Sequence, residues 1–203
     1  MLEVYADIWC PFAHVGLRAA ARERLRLGRN DVELIIRAWP LELVNAVPLD
    51  PVTTAHHVAD LRAQVAPDLF ARFDPTTFPT TTIPALALAS AAYRLSAPLG
   101  EAVSFALREA IFERGLDVGK PEVLAEIAKF FGLDPVVTFD EAPVLDEWRS
   151  GQQRGVKGSP HFFCGDSEAF CPALDIERDA EGHLRLRRSS QELAEFLDGC
   201  LVP

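Results

Sequence analysis

Hydrophobic and polar residues alternate at the start of the chain and then change to a helical spacing. Residues 2–8 alternate aliphatic with small or polar side chains, which predicts a β-strand. Pro11 suits the first turn of a helix, where its missing N–H group is not needed, and the Ala-, Arg- and Leu-rich stretch to about Leu27 predicts that helix. After a break at residues 28–31, the aliphatic stretch at residues 32–39 predicts a second strand. Together these elements predict a right-handed βαβ unit.

The middle of the chain has the pattern of a helical domain. Residues 48–83 are rich in Pro and Thr, with helix-compatible residues around 58–65. From Pro84 onward apolar residues recur at three- and four-residue spacing, and glycines mark the ends of the segments. The helices predicted here span residues 85–95, 101–114, 121–131 and 140–153.

Strand patterns return in the last quarter of the chain. Residues 160–164 and 169–176 are rich in strand-forming residues and flank residues 165–168, whose composition is typical of a hairpin turn. Residues 184–186 could extend this ribbon after a further turn at residues 180–182. The pattern therefore predicts a β-ribbon that follows the helical domain.

The last predicted element is an amphipathic helix through Leu197, capped by Ser189 or Ser190 and carrying Glu192 in its first turn. Neither terminal part has enough strands for a sheet core of ordinary size by itself. The economical arrangement is an α/β fold in which both parts build one mixed sheet, with the helical domain inserted between them. The corresponding division assigns residues 1–50 and 149–203 to the sheet domain and residues 51–148 to the insertion.

Composition and charge narrow the classes of function. The 203 residues are 49% hydrophobic and 25% charged, as in an ordinary globular protein. The formal net charge of −10 disfavours nucleic acids and anionic membranes as partners, because both would repel an acidic surface. No apolar run approaches the roughly 20 residues of a membrane-spanning helix, and the first residues lack the basic start of a secretory signal. We therefore expect a cytoplasmic protein that binds neither nucleic acid nor a membrane.

Cys10 lies where the first predicted strand ends and the first helix begins. A sulfur at this position faces unpaired backbone N–H groups and the positive end of the helix dipole, and both favour the thiolate. The dipole is worth up to about 2 kcal/mol, which would lower a thiol pKa of roughly 8.5 by about 1.5 at most. His14 is the nearest side chain that could add a further donor. The alternative is that Cys10 is a small buried hydrophobic residue, as many free cysteines are.

The segment 7–16, Asp-Ile-Trp-Cys-Pro-Phe-Ala-His-Val-Gly, resembles the active-site turn of the DsbA family of thioredoxin-fold proteins. It is most similar to the cytoplasmic FrnE-like branch, which is related to 2-hydroxychromene-2-carboxylate isomerases and kappa-class glutathione transferases. Residues 155–160 resemble the family segment that carries a cis-proline, and further matches lie at residues 37–43, 110–118 and 132–134. The order and spacing of these segments together make the resemblance specific.

This resemblance implies a thioredoxin-like fold (βαβ…ββα) interrupted by a helical domain, with Cys10 as the nucleophile and Pro160 as the cis-proline beside it. A cis bond before Pro160 would expose the backbone of Ser159, with which an extended thiol substrate could pair. The resemblance also makes a homodimer plausible. The residues that we expect to border the substrate are Pro11, Phe12, His14, Trp39, Ser159 and Pro160.

The sequence departs from the two-cysteine pattern of the family's oxidoreductases, which carry Cys-x-x-Cys, because Ala13 occupies the fourth position here. Since Ala13 cannot resolve a mixed disulfide, a two-cysteine cycle within this turn is excluded.

Three functions remain open. In the first, Cys10 acts as a monothiol on a protein or on a low-molecular-weight thiol such as glutathione or mycothiol, and no cofactor is tightly bound. In the second, the site uses a glutathione-like thiol for isomerisation or transfer; relatives with this activity usually have Ser at the Cys10 position, which counts against it. In the third, the protein binds a ligand or partner without catalysis.

Cys164 and Cys171 flank the predicted hairpin turn, so they could face each other across its strands. An unstrained disulfide closing this loop would add about 2.5 kcal/mol in the chain-entropy model, and the pair could form a redox couple that resolves Cys10 adducts. The alternative is two reduced strand cysteines, as expected in the cytosol. A zinc site of His161, Cys164 and Cys171 lacks an evident fourth ligand, so we expect no metal, and Cys200 is interpreted as incidental.

Overall fold

A computed structural model describes residues 1–134, 140–179 and 183–201 of the chain. The strands of the main sheet are β1 (Leu2–Ala6), β2 (Leu34–Ala38), β3 (His161–Cys164) and β4 (Ser167–Phe170). Their order across the sheet is β2-β1-β3-β4. A separate two-stranded sheet consists of β5 (Leu174–Arg178) and β6 (Leu184–Arg188). The predicted turn at 180–182 lies outside the described residues.

The described residues contain eight α-helices, most of them between β2 and β3. They are α1 (Pro11–Arg26), α2 (Leu41–Val44), α3 (Pro51–Gln64), α4 (Ile83–Leu95), α5 (Ala97–Phe112), α6 (Pro121–Phe130), α7 (Ala142–Arg154) and α8 (Ser190–Leu201).

The four longer helices predicted for the middle of the chain are confirmed within a few residues at each end. Helix α3 starts earlier than its apolar pattern predicts, because the Asp50 side chain caps it by accepting a hydrogen bond from the Thr53 N–H at 2.7 Å. The division into sheet domain and insertion stays a prediction, and its second boundary, between residues 148 and 149, falls inside α7.

The main sheet is mixed and draws on both terminal parts of the chain, as predicted. Strand β1 is parallel to β2, with Leu2 opposite Leu34. On its other side β1 is antiparallel to β3, with Val4 opposite Phe162. The parallel pair is joined by α1, which is the predicted βαβ unit. Since β3 follows the helical block in sequence, this pairing brings the turn after β1 next to the residues that precede β3.

The prediction of one strand over residues 169–176 is wrong. The chain breaks at Cys171, whose φ is +50°, and β5 pairs with β6 rather than continuing β4. The Cys171 N–H still bonds to the Pro160 carbonyl oxygen at 3.0 Å, in register with the β3–β4 ladder, so the break follows this bond. The physical reason is the turn after it, in which the Leu174 N–H donates to the Cys171 carbonyl oxygen at 3.2 Å and Pro172 has no N–H to donate to a neighbouring strand.

The two faces of the main sheet carry different clusters. Val4 and Phe162 belong to the main core, which also contains Cys10 and most of the apolar side chains of the helices. Tyr5, Trp39 and Phe163 form a smaller cluster on the opposite face, under α7. Within the described part of the chain, no helix is long and apolar enough to span a bilayer.

Candidate thiol site

Cys10 occupies the N-cap position of α1, with φ −76° and ψ 114°. Pro11 follows as the first helical residue, where its fixed φ suits the helix and its missing N–H is not needed. The Cys10 side chain makes no capping hydrogen bond to the N–H groups of the first turn. The predicted place of Cys10 at the start of the helix is therefore confirmed, whereas a direct bond between its sulfur and the unpaired amides is not found.

The peptide bond between Ser159 and Pro160 is cis, as the resemblance implies, and it lies beside the thiol. The Cys10 Sγ–H group donates to the Ser159 carbonyl oxygen at 3.1 Å. The Ser159 hydroxyl oxygen in turn accepts from the Asp7 N–H at 2.9 Å, which ties the segment before β3 to the end of β1. Helix α1 approaches closely at Gly16, where an added Cβ would lie 3.3 Å from the Pro160 ring.

The expectation that the helix start lowers the pKa of Cys10 is wrong. Only 3% of Cys10 is exposed, and the loss of solvation on burial raises the pKa of its thiol above the ordinary value. The Ser159 hydroxyl and the N–H groups of Ala13 and Phe12 act in the opposite direction, while the negative charge of Asp7 adds to the increase in pKa. Burial agrees with the alternative of a core cysteine, whereas the hydrogen bond to Ser159 gives this sulfur a polar partner.

Two buried residues of opposite charge lie near the thiol. Asp7 and Arg108 are both fully buried, and an Arg108 Nη2 hydrogen donates to the Asp7 backbone oxygen at 3.2 Å. Burial lowers the pKa of the Arg108 guanidinium to about 10, although the charges of Asp7 and Cys10 oppose this, so the group stays charged at neutral pH. Arg108 is further held by the Ser104 carbonyl oxygen at 2.9 Å.

The Asp7 carboxylate accepts three hydrogen bonds. The donors are the Ile8 N–H at 2.6 Å, the Leu41 N–H, and the Thr82 hydroxyl at 2.7 Å. Burial nevertheless raises the pKa of the Asp7 carboxyl from 3.8 to about 6, because these bonds and Arg108 compensate only part of the lost solvation. Asp7 is thus ionised at neutral pH and is the negative charge that Cys10 experiences.

The His14 side chain contacts Glu113 and two phenylalanine rings rather than the thiol of Cys10. Its ring is fully buried between Phe70 and Phe112, with centroid distances of 5.3 and 4.9 Å, and its Nε2 lies 2.8 Å from a Glu113 oxygen. Burial lowers the pKa of His14. Burial alone would raise the pKa of Glu113, but the hydrogen bonds from His14 and from two backbone N–H groups lower it to about 2. His14 therefore anchors α1 to the helical block, and its suggested role as an extra donor to the sulfur has no contact to support it.

The remaining expected substrate residues are divided between the two faces of the sheet. The Phe12 ring is partly exposed next to the thiol turn and lies 5.3 Å from the His57 ring of α3. Trp39 packs edge-on against Tyr5 at 6.2 Å, in the cluster on the opposite face from Cys10. Phe12, Ser159 and Pro160 are thus near the sulfur in space, whereas Trp39 is not.

The other cysteines are arranged differently from the prediction. Cys164 does not pair with Cys171 across the ribbon, because its partner in the ladder is Ser167 and Cys171 lies beyond the end of β4. The Cys164 side chain interacts with Cys200 of α8, and burial together with this neighbouring thiol raises the pKa of Cys200. Cys171 is buried beside the cis-proline, and burial raises the pKa of its thiol to about 12.

The three residues weighed as zinc ligands are also dispersed. The His161 ring accepts from the Lys157 N–H at 3.2 Å and packs against Phe163, while Cys164 and Cys171 have the separate surroundings given above. Across residues 1–134, 140–179 and 183–201, no three His, Cys, Asp or Glu side chains are grouped as metal ligands.

Sequence reasoning missed the buried charged residues Asp7 and Arg108. A signal for Arg108 was present, because it lies on the same face of its predicted helix as Ile111 and Phe112 and so interrupts an apolar stripe. Asp7 gave no such signal, because two of the groups that donate hydrogen bonds to its carboxylate, the Leu41 N–H and the Thr82 hydroxyl, are distant from it in sequence.

A family model described as a DSBA-like thioredoxin domain matches residues 1–181. The chain belongs to this family. Its thioredoxin-like fold and the resemblance to DsbA proteins are thereby confirmed, while membership of the FrnE-like branch stays a prediction. No curated protein matches the chain.

Solved structures resemble this DSBA-like protein over nearly its whole length. A probable DsbA oxidoreductase from Streptomyces coelicolor is 19% identical with a TM-score of 0.70, covering 98% of this chain and 88% of that one. The cytosolic disulfide reductase DsbM from Pseudomonas aeruginosa is 19% identical with a TM-score of 0.56, covering 97% and 93%. A 2-hydroxychromene-2-carboxylate isomerase is 14% identical with a TM-score of 0.59, covering 83% and 87%. At these identities the likeness concerns the fold.

Proposed function

We propose that this DSBA-like protein exchanges thiols and disulfides through Cys10, with a protein or a low-molecular-weight thiol such as glutathione or mycothiol as the co-substrate. The observation that supports this most is the place of the Cys10 sulfur, 3.1 Å from the Ser159 carbonyl oxygen and next to the cis-proline. A disulfide that reaches the sulfur there meets the backbone of Ser159, with which an extended substrate can pair. The cytoplasm is the compartment that we propose for this activity.

The chemistry begins with a protonated thiol, because burial raises the pKa of Cys10. When the Cys10 thiol loses its proton, the Phe12 and Ala13 N–H groups and the Ser159 hydroxyl stabilise the thiolate. The thiolate attacks one sulfur of the substrate disulfide, a Cys10 mixed disulfide forms, and the other sulfur leaves as a thiolate that takes up a proton. Since Ala13 has no thiol, the Cys-x-x-Cys route to resolution is absent from this turn.

A second candidate function is an isomerase or transferase that binds a glutathione-like thiol without forming a disulfide. The low exposure of Cys10 and its raised pKa favour this candidate, since a buried thiol is a slower nucleophile. The Pseudomonas aeruginosa reductase has a solved structure with GSH, and the isomerase among the similar structures has the same fold. The present fold could hold such a thiol beside Ser159.

Incubation with glutathione disulfide, followed by intact-mass measurement and peptide mapping, separates these functions. We expect modification that begins at Cys10 and is lost in Cys10→Ser, with Cys200→Ser as the matched control that keeps it. Saturable binding of reduced glutathione without any covalent modification of Cys10 would favour the second candidate. If neither modification nor binding occurs, both are contradicted and a non-catalytic binding module remains.

A further inference from the structure

Cys10 and Cys171 both bond to the dipeptide that contains the cis peptide bond. The Cys10 thiol donates to the carbonyl oxygen of Ser159 at 3.1 Å, and the Cys171 N–H donates to the carbonyl oxygen of Pro160 at 3.0 Å. The two cysteines therefore donate hydrogen bonds to consecutive carbonyl groups of the same dipeptide, Cys10 through its thiol and Cys171 through its backbone N–H. Both belong to the main core, with 3% and 5% of their surface exposed.

The two cysteines are also close enough to interact electrostatically. A negative charge on Cys10 adds to burial in raising the pKa of Cys171. The cysteines are 161 positions apart in the chain, so only the pairing of β1 with β3 and the break after β4 bring them together.

The backbone at Cys171 is unusual for a residue with a side chain. Its φ of +50° is in the left-handed region that favours glycine, and the described part of the chain has only two other residues with side chains at positive φ, Ala46 and Phe70. This conformation is held on both sides, by the bond to Pro160 and by the Leu174 N–H, which donates to the Cys171 carbonyl oxygen at 3.2 Å. Such positions are often found where a side chain has a function.

We propose that Cys171 is the resolving thiol for adducts on Cys10, in place of the second cysteine that the helix turn lacks. This inference rests on the proposed function of Cys10. The other two cysteines are less suited, because Cys164 and Cys200 interact with each other and neither is bonded to the Ser159–Pro160 dipeptide.

The exchange proceeds in two balanced steps with a low-molecular-weight disulfide as the oxidant. Cys10 first attacks the disulfide, which forms the mixed disulfide and releases one reduced thiol. The Cys171 sulfur then attacks the Cys10 sulfur, the bond to the second thiol breaks, and the departing thiolate takes up the proton given up by Cys171. One external disulfide is thereby reduced to two thiols, and the two protein thiols are oxidised to a Cys10–Cys171 disulfide. An external thiol in excess returns the protein to its reduced form by the reverse steps.

The test follows the fate of the Cys10 adduct after addition of glutathione disulfide to the whole protein. In the wild type we expect a peptide pair linked through Cys10 and Cys171 and only a transient glutathione adduct. In Cys171→Ala we expect the adduct on Cys10 to persist at least about tenfold longer, since no neighbouring thiol can displace it. Cys164→Ser is the matched control and should behave as the wild type does.

The outcomes separate this inference from the proposed function. A wild-type adduct that lasts as long as the Cys171→Ala adduct, with no linked peptide pair, would overturn the resolving role while leaving Cys10 exchange intact. Failure of Cys10 to form any adduct or disulfide in the wild type would overturn both. Should Cys171→Ala not fold, the peptide mapping of the wild type still decides, because it requires no variant.

Discussion

Replacing Asp7 by asparagine should remove a pH dependence of stability that this carboxyl produces. In the folded protein the pKa of Asp7 is about 6, against an ordinary value of 3.8, because the group is buried. The folded state therefore holds the Asp7 proton more tightly than the unfolded state. The contribution is fully present below about pH 4 and is lost as the pH rises through about 6. At about 1.36 kcal/mol per pKa unit, the difference amounts to roughly 3 kcal/mol.

Urea unfolding of the wild type and of Asp7→Asn, measured at several values between about pH 4 and pH 7, provides the assay. We expect the free energy of unfolding of the wild type, relative to Asp7→Asn, to fall by roughly 2.4 kcal/mol across this range, most of the full difference. Any hydrogen bond that the amide fails to make would shift the Asp7→Asn values by a constant amount and leave the relative slope unchanged. Glu122→Gln, at an exposed position, is the matched control.

Parallel plots of unfolding free energy against pH for the wild type and Asp7→Asn would refute this prediction. They would mean that the pKa of the Asp7 carboxyl is the same in the folded and unfolded states. A relative slope of the opposite sign would also refute it, since it would mean that the three donors and Arg108 outweigh burial.

Two further variants test the packing around the site. Arg108→Met removes the hydrogen bonds that a buried cation donates to the Asp7 and Ser104 carbonyl oxygens, and we expect a loss of about 1.5–3 kcal/mol in urea unfolding at neutral pH; a loss below about 0.5 kcal/mol would contradict a stabilising role for these bonds. Gly151→Ala places a methyl group 2.6 Å from the indole ring of Trp39, and we expect a fall in melting temperature corresponding to about 1–3 kcal/mol. Gly199→Ala, which meets no atom within 4 Å, should leave the melting temperature unchanged or raise it, and equal effects of the two glycine variants would contradict the close approach.

The parts of the site that depend on local sequence were predicted well. Cys10 at the start of α1 follows from a strand pattern, a proline and a helix pattern that are contiguous in the chain. The position of Pro160 beside it depended on the resemblance to DsbA proteins, because no local pattern distinguishes a cis-proline from a proline that starts a strand. The mixed sheet was predicted from the number of strands, because neither terminal part of the chain has enough strands to form a sheet core by itself.

The errors have a common physical origin in contacts between distant segments. The pKa of Cys10 was predicted from the helix dipole, which is local, whereas burial is produced by residues such as Ser159 that are remote in sequence. The orientation of His14 likewise depends on Glu113. The break at Cys171 is the exception, because it follows from a local turn that contains Pro172. Residue spacing along the chain does not predict contacts between distant segments. The positions of the helices and strands were therefore predicted better than the surroundings of individual side chains.

We propose that Cys10 is the reacting thiol and that burial keeps it protonated at neutral pH. The most direct measurement is the rate of exchange between glutathione disulfide and the reduced protein as a function of pH, for the wild type and for Cys10→Ser. We predict that the wild-type rate exceeds that of Cys10→Ser and rises about tenfold per pH unit from about pH 7 to beyond about pH 8.5, because the raised thiol pKa keeps the thiolate scarce. An equal rate in Cys10→Ser, or a wild-type rate that is already constant above about pH 7, would contradict the claim.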